Sequence, residues 1–473
     1  MLLSEVLDDV EVLDHLGPLD VPITGVAHDS GAVTPGNLFC CLRGATSDGH
    51  DHAHTAVAAG AAALLCERSV DTDPAVSEAI VADARRAMPY VAAAFWGHPA
   101  RALRTVGVTG TAGKTTTVSF VASVLTANGW SSATIGTLTG ARTTPEATEL
   151  HAILAGHVAD GTQALAMEVS SPAIVQHRVD AICFDVSVFT NLGHDHLDVH
   201  GDQESYFAAK AQLFDPARTR EAVICVDDAW GVRLADAIEQ RGGVGLVRAS
   251  VGDAVDAQFR ADGTSTFLWR GEQVVLQLAG QHNLTDAVLA AHAGEALGVA
   301  PAVVAKGLTD LPGVPGHFEL VRAGQPFVTV VDFAHTPDAV AAALTTARGL
   351  VPGRVIVVLG CGGDRDRLKR PLMAAAAEAH ADVAIFTSDN PRSENPLDIL
   401  AEMVEGLQDK ASVRIEEDRA AAISLAVEEA RPGDAVLIAG KGHETTQTFA
   451  DRTEHFDDRE VAIAAIRERG YTP

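Results

Sequence analysis

The feature that most constrains this chain is an apolar run, Thr105 to Thr109, that passes directly into Gly110-Thr-Ala-Gly-Lys-Thr-Thr-Thr117. An amphipathic stretch follows, Lys114 to Asn128, closed by Gly129. The order predicts strand, glycine-rich turn and helix, with Gly129 as the helix stop. Such a turn points successive backbone N–H groups and a helix N-terminus at one place, where they can cradle phosphate. Lys114 would reach the β/γ-phosphates, and the hydroxyl of Thr115 would face Mg²⁺. Val108 stands where a strict GxxxxGK[ST] pattern has its first glycine. A plain Gly/Thr-rich helix cap is the competing explanation, but the Gly-Lys-Thr core between a strand and a helix favours a phosphate site. Gly110, Thr111, Ala112, Gly113, Lys114, Thr115 and Thr116 are therefore expected to hold ATP.

The rest of the chain reads as α/β. At 473 residues it is long enough for two to four domains, and three blocks separate on pattern: 1–99, 100–312 and 313–473. The first mixes short apolar strands (Ile23–Ala27, Asn37–Leu42, Ala61–Cys66) with a helix at Asp83–Trp96. In the second, strands at Ala164–Glu168, Phe184–Thr190 and Ala222–Val226 and a helix at Gln203–Leu213 favour a mostly parallel sheet. The Pro/Gly-rich segment near Leu311 marks a junction. Beyond it, strands Phe327–Phe333, Arg354–Gly360, Val383–Ser388 and Ala435–Ala439 alternate with helices Pro337–Leu350, Leu368–Ala381, Pro396–Leu407 and Ala420–Ala430, the pattern of a Rossmann-like domain.

Composition excludes several classes. A formal charge of −28 opposes non-specific nucleic-acid binding, which needs cations to neutralise phosphates. No apolar run approaches the ~20 residues of a membrane span, and the acidic start does not resemble an export signal. A cytoplasmic monomer is the expectation, with neither nucleic acid nor membrane as partner. The six cysteines lie mostly in apolar runs without CxxC spacing and should be reduced core residues. Cys361, in a Gly-rich turn, is expected to be more exposed.

Further motifs follow the phosphate loop in a fixed order: Met167-Glu-Val-Ser-Ser171, Gln176-His-Arg-Val179, Asp195-His-Leu-Asp198, Tyr206-Phe-Ala-Ala-Lys210, Asp332-Phe-Ala-His-Thr-Pro-Asp338, Gly360-Cys-Gly-Gly-Asp-Arg-Asp366, Asp389-Asn-Pro-Arg392 and Gly440-Lys-Gly-His-Glu444. With His28-Asp-Ser30, Pro35–Phe39 and Asp48-Gly-His50 near the start, they resemble the Mur ligase family, MurE type, over nearly the whole chain. The resemblance implies three domains: an N-terminal UDP-sugar-binding domain, a central P-loop ATPase domain and a C-terminal Rossmann-like amino-acid-binding domain. It also implies a reaction in peptidoglycan precursor synthesis. The D-Glu carboxylate of UDP-MurNAc-L-Ala-D-Glu is phosphorylated by ATP, and the amine of meso-diaminopimelate then displaces phosphate to form an amide.

The same resemblance assigns site residues. Glu168 and His196 would bind Mg²⁺ beside Thr115, and Lys210 would do so as a carbamate; with Lys114 they form the expected catalytic set. Read alone, His194-Asp-His-Leu-Asp-Val-His200 could suggest zinc, which is the weaker reading. His28, Ser30, Ala45, Thr46 and Ser47 should contact the UDP-sugar, and Thr143, Thr144, Ser170, Gln176 and Arg178 the muramoyl peptide. Arg178 suits bidentate contact with an oxyanion. Arg365, Asp389, Asn390, Pro391, Arg392, Gly440 and Glu444 would form the amino-acid pocket. Arg392 would clamp the distal carboxylate that lysine lacks, and Glu444 would pair with the distal ammonium.

Some positions depart from the family pattern. Pro172 stands where histidine is usual, Gln281-His-Asn-Leu-Thr-Asp286 replaces an aromatic-Asn segment, His317 replaces an arginine, Leu368 a glycine, and Ala112 an Asn or Lys. They leave open a paralogue with another acceptor or amino acid, such as lysine. The chain could also be a ligase like folylpolyglutamate synthase, or a silent nucleotide-binding regulator. The diaminopimelate-type Asp389–Arg392 motif and the N-terminal segment oppose the former, and intact Lys114, Glu168, His196 and Lys210 oppose the latter.

Overall fold

The computed structural model describes the whole chain except Ala45, Thr46, Pro74, His196, Ser412 and Pro473, and except the side chains of Leu197 and Asp198. Strands β1 (Asp14–Leu16), β2 (Gly25–Ala27), β3 (Asn37–Cys40), β4 (Ala63–Cys66) and β5 (Ser77–Ile80) form a first sheet in the order β1-β5-β4-β3-β2. All its pairs are parallel except β1 with β5. Helix Ala84–Phe95 buries its apolar face in the same core as these strands.

The middle sheet comprises β6 (Arg104–Thr109), β7 (Ser132–Ile135), β8 (Ala164–Glu168), β9 (Phe184–Phe189), β10 (Thr219–Cys225) and β11 (Gly245–Ala249), ordered β11-β10-β9-β6-β8-β7 and parallel throughout. Its strands are apolar on both faces, as a sheet covered by helices on each side requires. In β8, Ala164 and Ala166 face a core shared with helices Lys114–Ala127, Gln281–Ala296 and Pro301–Asp310. Leu165 and Met167 face the opposite core, with helices Ala147–Ala159 and Ala229–Arg241. A small antiparallel sheet, β12 (Val255–Phe259), β13 (Ser265–Trp269) and β14 (Glu272–Leu276), extends the first of these cores.

The third sheet runs β15-β16-β20-β17-β18-β19, with β15 (Glu319–Leu320), β16 (Val328–Asp332), β17 (Val355–Leu359), β18 (Val383–Phe386), β19 (Val413–Ile415) and β20 (Ala435–Ala439). Only β15 is antiparallel among these strands. The three-domain α/β architecture expected from the sequence is present. Among the elements that the sequence pattern does not mark are β1, β5, β7, β11 to β15 and β19 and the helices Ala147–Ala159, Ala229–Arg241, Gln281–Ala296, Pro301–Asp310 and Asp458–Glu468; many of the strands are short. One expectation is corrected: Cys361 is buried rather than exposed, its Sγ 3.7 Å from Met373 Sδ, and burial pushes its thiol up to about 12. The only exposed cysteine among the described residues is Cys183. No helix among these residues is long and apolar enough to cross a membrane.

Helix Ala147–Ala159 joins the first and middle domains: Ala147 sits in the first domain's core, and the hydroxyl of Thr148 meets His28 Nδ1 at 2.8 Å. One turn further, His151 is fully buried with neither ring nitrogen hydrogen-bonded. Burial, with His98 nearby, lowers its pKa from 6.5 to about 4. An unpaired buried polar group costs about 1–3 kcal/mol, so His151→Leu is expected to stabilise the protein by that order. The sign of the pH effect follows. Between pH 6.5 and 4 the unfolded imidazole takes a proton that the folded one refuses, so the wild type loses stability as pH falls. Urea denaturation at pH 7 and pH 5 should show a larger gap between variant and wild type at pH 5.

Candidate active site

Register in the middle sheet brings its functional side chains to one edge. Val108 lies opposite Glu168, and Thr109 opposite Phe189, so the turns after β6, β8 and β9 leave the sheet at the same level. Open parallel sheets bind ligands at this carboxyl edge.

The turn after β6 is built from close backbone approaches. Gly113 caps helix Lys114–Ala127 with φ of 83°, and a Cβ there would stand 2.3 Å from Asp286 Oδ1. A Cβ on Gly110 would lie 1.8 Å from the Thr190 hydroxyl. Asn191 holds the loop from the far side, its side chain accepting from Ala112 N at 3.0 Å. Lys114 folds back, donating from Nζ to the carbonyls of Gly110 (3.0 Å) and Thr111 (2.9 Å). Burial lowers its pKa, against the opposing pull of Glu168, Asp195 and Asp286.

Glu168, at the end of β8, is 1% exposed. Its carboxylate accepts from the Thr115 hydroxyl (3.0 Å) and from the N–H (2.8 Å) and hydroxyl (3.3 Å) of Thr137. Burial raises its pKa, opposed first by Lys114. A dry carboxylate whose hydrogen-bond donors are all neutral, with a threonine hydroxyl beside it, is an oxygen donor set that suits a hard cation such as Mg²⁺. Lys210, on helix Gln203–Ala211, is also buried; its Nζ donates to Gly110 O at 2.8 Å and lies 4.5 Å from the centre of the Tyr206 ring. Burial, reinforced by the Lys114 charge, drives its pKa well below that of an ordinary lysine, favouring the neutral amine. His196 lies outside the described residues. Among those described, no three His, Cys, Asp or Glu side chains converge to hold a metal ion.

The C-terminal sheet presents its own carboxyl edge to the same space. Asp389, Asn390 and Arg392 follow β18, and Gly440 and Glu444 follow β20. Asn390 Nδ2 donates to Glu444 Oε2 at 2.8 Å, and Lys441 Nζ to the same oxygen at 3.2 Å, so Glu444 is held by this chain's own groups. Arg392 has φ of 53° and donates to Gly363 O at 2.6 Å. Burial lowers its pKa, and the adjacent Arg365 lowers it further, a pairing that a bound carboxylate would relieve.

These groups line one cavity of about 1030 Å³: Thr111 to Thr116, Thr143, Glu168, Ser170, Lys210, Arg365, Asp389, Asn390, Arg392, Gly440 and Glu444. Gly110 lies just behind it. Thr144, Gln176 and Arg178 form a supporting layer instead, with Arg178 donating to Thr144 O (2.9 Å) and Gln176 Oε1 (2.6 Å). Pro391 is buried off the lining, and His28, Ser30 and Ser47 lie elsewhere, in the first domain. Ala45 and Thr46 fall outside the described residues.

The structure adds residues to which the sequence assigns no role. Lys369 Nζ reaches Asp195 Oδ1 at 3.4 Å across the domain junction, and His335 Nε2 lies 3.9 Å from Asp195 Oδ2. These residues occur within the ordered motifs or beside them, but their pairing needs the fold. Asp286 accepts from the Thr117 hydroxyl at 3.2 Å, and burial raises its pKa well above the usual range. Of the departures from the pattern, Pro172 occupies the first turn of helix Ser171–Val175, where a missing N–H costs nothing. His317 stacks on His443, and Leu368 projects into solvent at 70% exposure. The structure does not explain Leu368.

Arg419 orients both C-terminal loops. Fully buried, it makes two 2.7 Å bonds to Asp458 and donates to Ser388 O (3.3 Å) and Ala439 O (3.0 Å), the residues just before Asp389 and Gly440. Removing one partner of such a pair costs about 3–5 kcal/mol. Asp458→Ala is expected to destabilise the protein by that order in guanidinium denaturation.

Comparison with known proteins gives one consistent result. The profile described as Mur ligase family, catalytic domain matches residues 22–103, Mur ligase middle domain matches 108–294, and Mur ligase, glutamate ligase domain matches 316–442. A UDP-N-acetylmuramoyl-L-alanyl-D-glutamate–2,6-diaminopimelate ligase of Streptomyces coelicolor is 44% identical, with 98% of this chain and 96% of that protein covered. One of Solibacter usitatus is 42% identical, covering 100% and 99%. A solved structure of a ligase of that name superposes with a TM-score of 0.70 at 30% identity over both full chains. Folylpolyglutamate synthase of Mycobacterium tuberculosis, complexed with ADP and AMPPCP, gives 0.62 at 18% identity, covering 81% of this chain and 94% of its own, a likeness of fold alone.

Proposed function

This chain belongs to the Mur ligase family, and we propose that it is the ATP-dependent ligase that adds meso-diaminopimelate to the D-Glu of UDP-MurNAc-L-Ala-D-Glu in peptidoglycan precursor synthesis. The observation that carries the reading is the single cavity that joins the phosphate loop and Glu168 to Arg365, Asp389 and Arg392. A ligase of this kind must bring a nucleotide phosphate, an acceptor carboxylate and an amine together, and this cavity offers groups for all three. Domain limits at 99/100 and 312/313 fit the sheets, and a cytoplasmic reaction fits the substrates.

The chemistry runs in two displacements. An oxygen of the D-Glu carboxylate attacks the γ-phosphorus of ATP, the bond to the β-phosphate oxygen breaks, and ADP leaves an acyl phosphate. The neutral amine of diaminopimelate then attacks the acyl carbon; phosphate departs with the bonding pair, and the nitrogen loses its proton. Lys114 and the loop amides bind and orient the phosphates, which approach an anionic nucleophile. Thr115, Glu168, Lys210 as its carbamate, and His196 would hold Mg²⁺, which when bound neutralises charge between the two anions. Lys210 suits carbamylation because a buried neutral amine is the form that adds CO₂. Thr143 and Ser170 orient the acceptor from the cavity wall, with Thr144, Gln176 and Arg178 behind them. His28, Ser30, Ala45, Thr46 and Ser47 hold the UDP end. Arg392, with Arg365, takes the distal carboxylate of the amino acid. Positioning supplies much of the remaining acceleration.

Phosphate release with Mg-ATP and UDP-MurNAc-L-Ala-D-Glu, with product mass detection, tests the reading. Tripeptide is expected with meso-diaminopimelate and not with L-lysine; product with lysine alone, or with neither, would overturn it. Arg392→Ala is expected to raise KM for diaminopimelate by about 10- to 100-fold with KM for ATP unchanged. Glu168→Gln should lower kcat by about 10²- to 10³-fold.

A further inference from the structure

The second displacement leaves one proton without a destination, because the amine that attacks the acyl carbon must shed N–H as the amide forms. A group that takes it has to line the cavity, carry an open lone pair, and stand where the phosphate loop and the amino-acid pocket meet. Lys114 and Lys210 have other roles there, and Lys369 is held by Asp195.

His335 meets these conditions. It lines the cavity from the turn between β16 and helix Pro337–Leu350. The Thr336 side chain caps that helix and Pro337 opens it, which fixes the turn. The imidazole packs on the Phe333 ring, with centroids 4.5 Å apart. Its Nδ1 lies 2.7 Å from the carbonyl oxygen of Phe333. A carbonyl only accepts, so Nδ1 carries the hydrogen, and in the neutral ring Nε2 then holds the open lone pair. The other described imidazoles on the cavity wall, His282 and His317, pack against Phe318 and His443.

The direction in which Nε2 points matters as much. It lies 3.9 Å from Asp195 Oδ2, beyond hydrogen-bond reach but near enough for the carboxylate to stabilise a positive charge on the ring. Asp195 belongs to the loop after β9 of the middle sheet, whereas His335 follows β16 of the third. The imidazole therefore looks across the seam between the domain that holds the phosphates and the domain that holds the amine.

Its surroundings suit a base that is neutral at rest. Burial lowers its pKa from 6.5, Lys369 and, more weakly, Lys114 push the same way, and Asp195 and the Phe333 carbonyl oppose them. His317, before β15, and His443, after β20, also feel its charge, and burial disfavours the charged form of both.

We propose that His335 is the general base of the amide-forming step: Nε2 takes the proton of the attacking nitrogen, and Asp195 stabilises the imidazolium that results. The C–N bond forms as the amine adds to the acyl carbon. The N–H bond breaks with its pair left on nitrogen and the proton on Nε2, and the C–O bond breaks with its pair leaving on phosphate. The imidazolium then returns its proton to water. In the first displacement a carboxylate attacks phosphorus and no proton moves, so His335 acts on the second alone. The inference rests on the reaction assigned under the proposed function.

The two displacements can be read apart in the full-length protein with Mg-ATP and UDP-MurNAc-L-Ala-D-Glu. Hydroxylamine, a small nucleophile that is already neutral at mildly alkaline pH, captures the acyl phosphate as a hydroxamate without a protein base; meso-diaminopimelate gives the tripeptide. Wild type is compared with H335A and with H335N, whose amide can still donate to the Phe333 carbonyl. Both variants are expected to lower kcat for tripeptide by about 10²- to 10⁴-fold, with KM for diaminopimelate within about threefold of wild type and hydroxamate formed at the wild-type rate. Tripeptide kcat within about threefold of wild type overturns the proposal. So does loss of hydroxamate in step with tripeptide, which marks His335 as needed for folding or for the first displacement, and so does a loss carried by KM for diaminopimelate, which marks an amino-acid contact. If wild type forms neither hydroxamate nor tripeptide, the assigned reaction itself fails and this inference falls with it.

Discussion

The parallel register of β6 with β8 and β9 is the constraint on which the site depends. Val108 opposite Glu168 and Thr109 opposite Phe189 mean that three chain segments, far apart in sequence, leave the sheet side by side. Had β8 slipped by one residue, Glu168 would have exchanged faces with its neighbour, because side chains alternate along a strand. The phosphate loop is then clamped between Thr190 and Asn191 on one side and Asp286 on the other, at distances that leave no room for a side chain at Gly110 or Gly113. Backbone amides can approach a phosphate closely only in such a place.

Electrostatics in the cleft works by local concentration against the global charge. A chain of −28 repels nucleotides and acidic peptides at long range, so capture falls to cations held in dry surroundings. Lys114 and Arg392 are each destabilised as cations by burial, and each would regain stability beside an anion. Glu168 and Asp286 are destabilised as anions in the same space. Opposite charges that have lost water but lack full compensation make a site that ligands complete. The bridge between Lys369 and Asp195 carries the same logic across the junction, coupling the third sheet to the loop after β9.

Much of this was legible in the residues themselves. The strand, glycine turn and helix around Lys114 follow from local physics, since apolar runs, glycine and helix periodicity act over a few neighbours. The alternation beyond Leu311 was readable for the same reason, and so was the place of Glu168 at a strand end and of Lys210 on a helix. Short strands such as β7, β15 and β19 carry too few residues for a period to register. The helix Gln281–Ala296 is buried nearly all round, which erases the amphipathic signal that would have marked it. Cys361 misled because glycine neighbours suggest an exposed turn, whereas this turn is packed beneath helix Lys369–His380.

By itself the sequence determined the α/β class, the three-part order of the chain, the phosphate loop and the family resemblance, because each rests on local pattern or on ordered motifs. It could not say which of those motifs face one another. Only the tertiary structure decided that Arg365 and Arg392 share a cavity with Lys114, that Lys369 meets Asp195, and that His335 faces Asp195. Those groupings join residues up to 278 positions apart (Lys114 and Arg392, which line one cavity), and such separations are bridged by sheet register and domain packing, which no local window of residues encodes.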